Sequence, residues 1–257
     1  MTTHIRRQSL IRLLQKQPGI SVPELAESLG VSNGTIRNDL DYLEKEGTLT
    51  RVHGGAILNG QTRQSDTSFD RRYQEHPGHK SMIARKAAEL VDDGTSLLLD
   101  ASTTAYYLAQ QLADRQRLRV VTNGIDVARL MARNSSNLVV LIGGIVTSDG
   151  SSVTGSLSEQ IIRDLHIQMA FVSCSGLSLT RGLTDVLLAV AELKGKAIAS
   201  AQAVYALVDS SKIGKEDLTP FAGLDQISHL YTDSDISAEW MARLTDAGVH
   251  FTICSAA

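Results

Sequence analysis

Apolar residues recur at helical spacing in three short stretches near the start of the chain. The first stretch ends at a Pro-Gly pair, and its apolar stripe consists of Ile5, Leu10, Leu13 and Leu14. Ser21 and Glu24 form a capping box for a second helix, and Gly30 suits a left-handed cap at its end. Ser32 caps a third helix. The buried face of that helix consists of Ile36, Leu40 and Leu43. The pattern predicts three helices, with a tight glycine turn between the last two.

This spacing is typical of a helix-turn-helix, in which the second helix of the motif enters the major groove of DNA. Arg37 and Asn38 lie on its polar face and are predicted to read bases, because Arg binds guanine and Asn binds adenine at two points each. The remaining candidates for DNA contact on this helix are Ser32, Asn33 and Thr35. A capped amphipathic helix with a solvated polar face would explain the same pattern without DNA.

Residues 47–56, GTLTRVHGGA, predict a strand, a tight turn at the glycine pair and a second strand. A hairpin in this position is the wing of a winged helix. It would place Arg51 and His53 near the phosphate backbone or the minor groove, although both also fit a solvated hairpin. The first sixteen residues contain four basic groups and no acidic group, which also directs nucleic-acid contact to the N-terminus.

From residue 80 onwards, short apolar runs alternate with amphipathic stretches. Examples are a strand over Thr95–Asp100, a helix over Thr103–Ala113 and a strand over Arg119–Thr122. Such alternation predicts an α/β fold, with a mostly parallel sheet covered by helices on both faces. The polar residues before it show no period and predict a linker. The expected domains are therefore residues 1–57, a linker over 58–78, and residues 79–257.

In sheets of this kind, ligands bind beyond the carboxyl ends of the strands. Asp100 closes the first predicted strand. The hydroxyl groups of Ser102, Thr103 and Thr104 follow it at the N-terminus of a predicted helix, a position that suits a bound phosphate. Asp100 is then a candidate acceptor for a sugar hydroxyl, whereas plain N-capping explains one hydroxyl alone. Asp209 and Lys212 follow the fifth strand, where the lysine would pair with a phosphate or lie in a solvated loop.

The N-terminal motifs closely resemble the signature of DeoR-type bacterial transcriptional regulators, as seen in VPELAESLGVSNGTIRNDLDYLEKEGTLTRVHGGA. Segments of the second domain resemble the DeoR effector domain in the same order: LLLDASTTA, VVTNGIDVA, LIGG, FVSCSGLSLTRGLTD, AELKGKAI and LVDSSKIG. The resemblance implies a winged helix-turn-helix joined to a ribose-5-phosphate-isomerase-like α/β domain that binds a phosphorylated sugar or polyol. The effector-binding residues that it implies are Asp100, Ser102, Thr103, Thr104, Asn123, Gly144, Glu192, Lys194, Asp209 and Lys212.

Composition narrows the choice of partners and compartment. The net charge of −3 gives no overall positive field, and two cysteines are too few for a disulfide framework. No export signal or membrane span is visible, so a cytoplasmic protein is expected. His76 and His79 lack acids at metal-like spacing, and we expect neither a metal nor a cofactor.

The sequence thus predicts a sequence-specific DNA-binding regulator, most simply a repressor of a sugar or polyol catabolic operon that a phosphorylated sugar modulates. Its expected partners are double-stranded operator DNA, the effector and further copies of itself, as a homodimer or homotetramer, because paired half-sites need at least two heads. The alternative is an isomerase-like enzyme with an extra DNA-binding module, for which several acids could act as the base. A winged helix has no role in a plain enzyme, so no catalytic residue is expected. A third possibility is a DNA-binding protein whose pocket senses nothing.

Overall fold

The computed structural model describes residues 3–16, 20–52, 55–58, 69–163 and 165–255. The chain folds into two compact units, Met1–Asp66 and Thr67–Ala257. Among the described helices, none combines the length and the apolar character that crossing a membrane requires.

The first unit contains three helices followed by an antiparallel hairpin, as the apolar pattern predicts. Ser21 and Glu24 cap the second helix reciprocally, and Gly30 ends it in the left-handed conformation with φ of 64°. Leucine and isoleucine side chains from all three helices fill the core, which Leu49 of the hairpin completes. The elements are α1 (Thr3–Lys16), α2 (Val22–Leu29), α3 (Asn33–Lys45), β1 (Leu49–Val52) and β2 (Gly55–Leu58).

The second unit is built on a seven-stranded parallel sheet. Its strands follow the order β14-β13-β11-β8-β3-β4-β5, so β5 and β14 lie at the edges. A three-stranded antiparallel sheet, β12-β10-β9, and a β6-β7 hairpin flank it. The strands are β3 (Ser96–Leu99), β4 (Arg119–Thr122), β5 (Leu138–Leu141), β6 (Ile145–Val146), β7 (Val153–Thr154), β8 (Ile167–Val172), β9 (Gly176–Ser178), β10 (Gly182–Asp185), β11 (Ala201–Leu207), β12 (Thr219–Ala222), β13 (His229–Asp233) and β14 (Phe251–Cys254).

Helices cover both faces of this sheet, and an apolar core lies on each side. One core contains residues of α5, α6 and α7, and the other contains residues of α8, α9 and α10. The mostly parallel α/β architecture predicted from the sequence is therefore confirmed. The helices are α4 (Phe69–Gln74), α5 (Pro77–Ala88), α6 (Thr103–Gln111), α7 (Ile125–Met131), α8 (Ser156–Arg163), α9 (Leu188–Ala199) and α10 (Ala238–Asp246).

The linker predicted over residues 58–78 is partly folded. The second unit begins at Thr67 rather than at residue 79, and α4 and the first turn of α5 fall inside the predicted linker. The reason is aromatic packing: Tyr73 stacks on Tyr107 of α6, and Phe69 meets Tyr106 edge-on. Two aromatic residues in a polar stretch thus help to dock a short helix that shows no apolar period.

Candidate functional site

The polar face of α3 is available for contact with another molecule. Asn33, Arg37 and Asn38 are exposed, and the side chains of Arg37 and Asn38 have no hydrogen bond or ion pair to any described residue. Ser32 and Thr35 are engaged instead, because the Ser32 hydroxyl accepts from the Thr35 backbone N–H at 3.2 Å and lies 2.9 Å from the Thr35 Oγ1. The helix cap therefore accounts for two of the five residues predicted on this helix to contact DNA.

The hairpin residue Arg51 is tied to α3. Its guanidinium forms an ion pair with Asp41, and its backbone N–H donates to the Glu44 carboxylate at 2.9 Å. These bonds fix the hairpin against the helix, so Arg51 would have to exchange Asp41 for a phosphate in order to contact DNA. His53, which the sequence places on the same hairpin, lies outside the described residues.

Two of the basic residues near the N-terminus share one buried carboxylate. Asp39 is buried on α3 and accepts from Arg6 Nε at 2.6 Å and from Arg7 Nε at 2.8 Å. The Arg7 guanidinium also lies 3.6 Å from the centroid of the Tyr42 ring. The cluster of positive charge that the sequence suggests for DNA contact is therefore partly a structural clamp between α1 and α3.

A second group of polar residues gathers at the carboxyl ends of β3, β8 and β11. Asp100 follows β3 and is buried. Its Oδ1 accepts from the Ser102 backbone N–H, and its Oδ2 accepts from the Ser173 backbone N–H, both at 3.0 Å. The same Oδ2 lies 3.0 Å from Lys194 Nζ. Asp100, predicted to accept a sugar hydroxyl, thus joins two loops and a helix within the protein.

Lys194 is buried on α9 and surrounded by acceptors. Its Nζ donates to the Ser173 carbonyl and to Asp185 Oδ2, each at 2.8 Å, beside Asp100. Burial disfavours the charged form, but Asp100 and Asp185 outweigh that effect and raise the pKa of Lys194. The ammonium group is fully engaged inside the protein, so Lys194 is not a surface charge.

Lys212 differs because its side chain is 22% exposed. Its Nζ lies 3.1 Å from Asp209 Oδ2 and 3.3 Å from the Ser173 hydroxyl. Asp209 is buried, which acts to raise its pKa, but Lys212, Ser211 and Lys80 hold the pKa of that carboxyl below its ordinary value. An ionised Asp209 therefore orients a lysine that faces solvent in part.

The hydroxyls after β3 have separate roles. The Ser102 Oγ accepts from the Ala105 backbone N–H at 3.1 Å and caps α6. Thr103 and Thr104 are buried, and the Thr104 Oγ1 has no hydrogen-bond partner among the described residues. Capping explains Ser102, whereas the Thr104 hydroxyl is a buried polar atom that a ligand could satisfy.

Three other predicted effector residues lie apart from the Asp209–Lys212 pair. Asn123 is buried, and its Nδ2 donates to the Val153 carbonyl at 3.3 Å. A Cβ on Gly144 would lie 2.4 Å from the Thr154 carbonyl, so close packing against β7 demands this glycine. Glu192 is exposed, because two residues correspond to about 200° around a helix and turn it away from Lys194. Asn123 and Gly144 therefore have packing positions in the structure, and Glu192 lies on the surface.

Sequence reasoning missed three residues of this region: Ser173, Asp185 and Lys80. Ser173 directly follows β8, so the strand-end rule that found Asp100 covers it as well. Asp185 ends β10, an antiparallel strand outside the main sheet, to which that rule does not apply. Lys80 is buried on α5, and the charges of Asp209 and Lys212 both affect its pKa. Nothing in the local sequence distinguishes it from a surface lysine.

The acids near His79 come from a distant part of the chain. Its Nε2 lies 3.2 Å from Asp235 Oδ2, and its Nδ1 lies 3.6 Å from Asp233 Oδ1. The two carboxylates face opposite nitrogens of the ring, which suits an imidazole held between acids better than a shared metal ion.

A cavity of about 300 Å³ lies at the opposite, amino ends of the strands. Ser96, Arg119, Leu138 and His166 are among its lining residues, and it includes none of the predicted effector residues. Its walls are mainly apolar, so it lacks the convergent charges of the Asp209 region.

Comparison with known proteins matches both units. Residues 6–62 match the DeoR-like helix-turn-helix domain, and residues 75–234 match the DeoR C terminal sensor domain. The chain belongs to the DeoR family. This DeoR-family protein is accordingly a DNA-binding transcriptional regulator, and α2 and α3 form its helix-turn-helix.

Its relatives align with most of the chain. The DeoR-family protein is 36% identical to the HTH-type transcriptional regulator GolR of Listeria innocua over 95% of this chain and 96% of that protein. It is 35% identical to the lactose phosphotransferase system repressor of Streptococcus mutans, over 89% of this chain and 91% of that protein. It is 32% identical to the L-fucose operon activator of Haemophilus influenzae, over 90% of this chain and 92% of that protein.

A solved structure similar to part of the chain is ribose 5-phosphate isomerase A from Methanocaldococcus jannaschii. The TM-score is 0.39 at 18% identity, covering 52% of this chain and 53% of that one.

Proposed function

We propose that this DeoR-family protein represses a sugar or polyol catabolic operon and that a phosphorylated sugar bound in its second unit modulates repression. In this proposal, residues 1–57 are the DNA-binding domain, and the α/β unit binds the effector and mediates self-association. The effector-binding part of this proposal depends on Lys212, because its side chain is partly exposed at the carboxyl edge of the sheet. Lys194, by contrast, is occupied by two carboxylates.

The geometry around Lys212 suits an oxyanion. Asp209 and Ser173 hold its Nζ from one side, and the exposed side of the lysine can donate to a phosphate oxygen. The Thr104 hydroxyl, which lacks a partner among the described residues, would be satisfied by a ligand that carries hydroxyls. A phosphorylated sugar offers both kinds of group.

An enzymatic role fits the same residues poorly. A general base works best with a pKa near the working pH, but Lys212, Ser211 and Lys80 lower the pKa of Asp209. Asp100 and Asp185 are ion-paired with Lys194 and therefore hold structure. We infer that the site binds without turnover. Incubation with pentose and hexose phosphates, followed by product analysis, tests this, and any turnover above the rate without protein would contradict it.

Self-association is supported by an apolar surface at the β5 edge of the sheet. Leu138, Ile145, Val146 and Leu157 are all more than half exposed, and they belong to β5, β6 and α8. Exposed apolar patches of this kind mark contact surfaces in soluble proteins. We propose that a second copy of this chain covers it and that paired DNA-binding units then meet paired half-sites.

The deciding experiment measures binding to DNA from the protein's own promoter by fluorescence anisotropy, in the presence of sugars and their phosphates. At least one phosphorylated sugar should change DNA affinity, and its unphosphorylated parent should not. Lys212→Met should keep DNA affinity and lose the response, whereas the surface control Lys86→Met should behave as wild type. A normal response from Lys212→Met, or an equal effect of the free sugar, would contradict the proposal.

A further inference from the structure

Acidic side chains of α3 hold arginines that come from outside this helix. Buried Asp39 binds Arg6 and Arg7 of α1. Asp41, whose side chain is 49% exposed, forms an ion pair with Arg51 of the hairpin. In a helix-turn-helix the second helix enters the groove, where phosphates attract arginine side chains. Two carboxylates of that helix therefore occupy three arginines that DNA phosphates would otherwise attract.

The position of Asp41 on α3 would also allow a pair with Arg37. Arg37 lies one helical turn before Asp41 on the same face, a spacing at which opposite charges can pair. Asp41 pairs with Arg51 instead, and Arg37 has no ion pair with any described residue. The carboxylate therefore restrains the arginine of the hairpin and leaves free the arginine predicted to read a base.

The ion pair between Asp41 and Arg51 has a limited effect on the stability of this unit. Exposed ion pairs add little to stability, because water already solvates both charges. Other contacts also hold the hairpin, since the Arg51 backbone N–H donates to the Glu44 carboxylate at 2.9 Å and Leu49 lies in the core. The pair has a larger effect where Arg51 meets a second anion, and in a DNA-binding unit that anion is a phosphate.

The charge balance of the first unit makes each arginine important for binding to DNA. Residues 1–57 contain seven Lys or Arg and six Asp or Glu. Affinity for DNA of any sequence depends on how many phosphates a protein neutralises. A unit with so little excess positive charge therefore gains affinity from every arginine that becomes available.

We propose that Asp41 determines specificity by competing with DNA phosphates for Arg51; this rests on the DNA-binding role of the first unit. On random DNA, phosphate contacts alone hold the protein, and Arg51 stays with Asp41. On the operator, base contacts from α3 fix this helix in the groove and bring a phosphate to the hairpin. Arg51 then exchanges the carboxylate for the phosphate. Asp41 consequently weakens binding to random DNA more than binding to the operator.

The experiment uses the full-length protein and two duplexes of equal length, one from the protein's own promoter and one of random sequence. Fluorescence anisotropy measures the affinity for each duplex over a range of salt concentrations. Asp41→Asn removes the charge and Asp41→Glu keeps it, and Arg51→Gln is made alone and together with Asp41→Asn. Glu46→Gln is the matched control, because Glu46 is exposed directly after α3 and has no ion pair with a described residue.

Asp41→Asn should bind the random duplex roughly three- to tenfold more tightly, with a salt dependence steeper by about one phosphate contact per DNA-binding unit. The promoter duplex should gain less than about twofold, because Arg51 already contacts a phosphate there. Asp41→Glu should match the wild type. Glu46→Gln should change either affinity by less than about twofold and keep the wild-type salt dependence, because salt screens a charge that holds no arginine. With Arg51→Gln present, Asp41→Asn should do no more than Glu46→Gln.

The role of Asp41 and the proposed function fail in different ways. If Asp41→Asn tightens binding to random DNA no more than Glu46→Gln does, or does so equally without Arg51, the carboxylate does not act through Arg51. If both duplexes gain equally, Asp41 limits affinity and not specificity. If the wild type binds the two duplexes equally, the promoter holds no operator. That result contradicts the proposed function, and the specificity assigned to Asp41 is then wrong as well.

Discussion

At the residue scale, three lysines lie around the carboxyl edge of the sheet, and their partners differ. Lys194 is held by two carboxylates and a carbonyl, Lys212 by one carboxylate and a hydroxyl, and Lys80 by two carbonyls. The more completely its partners neutralise a lysine, the less it gains from a bound anion. Lys194 therefore holds the fold, Lys80 is enclosed by α4, and Lys212, which is partly exposed, is the lysine of the three that can meet a ligand.

Arg37 is the residue on which base reading depends. Its guanidinium is exposed and has no partner among the described residues, so it can bind a base edge without breaking an internal bond. Arg37→Ala should weaken operator binding by about 1–3 kcal/mol and relax preference at one position of the operator. The check is anisotropy against operator and random DNA, with Lys45→Ala, exposed on the last turn of α3, as the control. Equal losses on both DNAs would show that Arg37 contacts phosphates alone.

Single charged residues mark the limit of what the sequence could predict. The caps and apolar stripes of α2 and α3 follow local rules, and the structure has them where the pattern places them. From the sequence, Asp39 looks like one more exposed acid, but α1 brings Arg6 and Arg7 against it across 33 and 32 positions. Long-range pairing of this kind has no local signal, which is why Lys80 and Asp185 were missed too.

At the scale of elements, Lys194 joins α9 to the loop after β3 and to the end of β10. Lys194→Met would leave Asp100 and Asp185 without their cation in a buried site, at a cost of about 3–5 kcal/mol in the free energy of unfolding. Lys212→Met should cost less than about 1 kcal/mol, because its partner Asp209 also has Lys80 nearby and the lysine is partly solvated.

Urea unfolding followed by the fluorescence of Trp240, the sole tryptophan, measures both variants. Trp240 lies on α10 and packs against the core on the α9 side of the sheet, so its signal reports on this unit. Similar stability losses for the two lysines would remove the distinction between a structural and a ligand-binding role.

Elements themselves were predictable where apolar period and length agreed. The seven strands of the main sheet and the helices on its faces correspond to the alternation of short apolar runs and amphipathic stretches in the sequence. α4 has six residues and no buried side chain, so its position depends on the stacking of Tyr73 and Phe69 on α6. The short strands β9, β10 and β12 pair antiparallel outside the main sheet, and runs of three or four residues are too short to show a period.

At the scale of the whole molecule, DNA recognition and self-association are coupled by geometry. One winged helix contacts a single half-site, and paired half-sites raise affinity when two heads are held at the right separation. The apolar surface at β5, β6 and α8 belongs to the second unit, so association there would leave the first unit free of that contact. Loss of association should then weaken operator binding without changing the fold of either unit.

Ile145→Lys tests this coupling. Ile145 is 73% exposed, so a lysine there is tolerated in the isolated chain but places a charge in the proposed interface. We expect a lower molar mass by light scattering and operator binding weakened by at least about tenfold, with circular dichroism and phosphate binding unchanged. Leu218→Lys is the matched control, because Leu218 is equally exposed, at 72%, and lies just before β12 rather than at the β5 edge. If Ile145→Lys keeps its molar mass, or if Leu218→Lys lowers it as much, the copies meet through another surface.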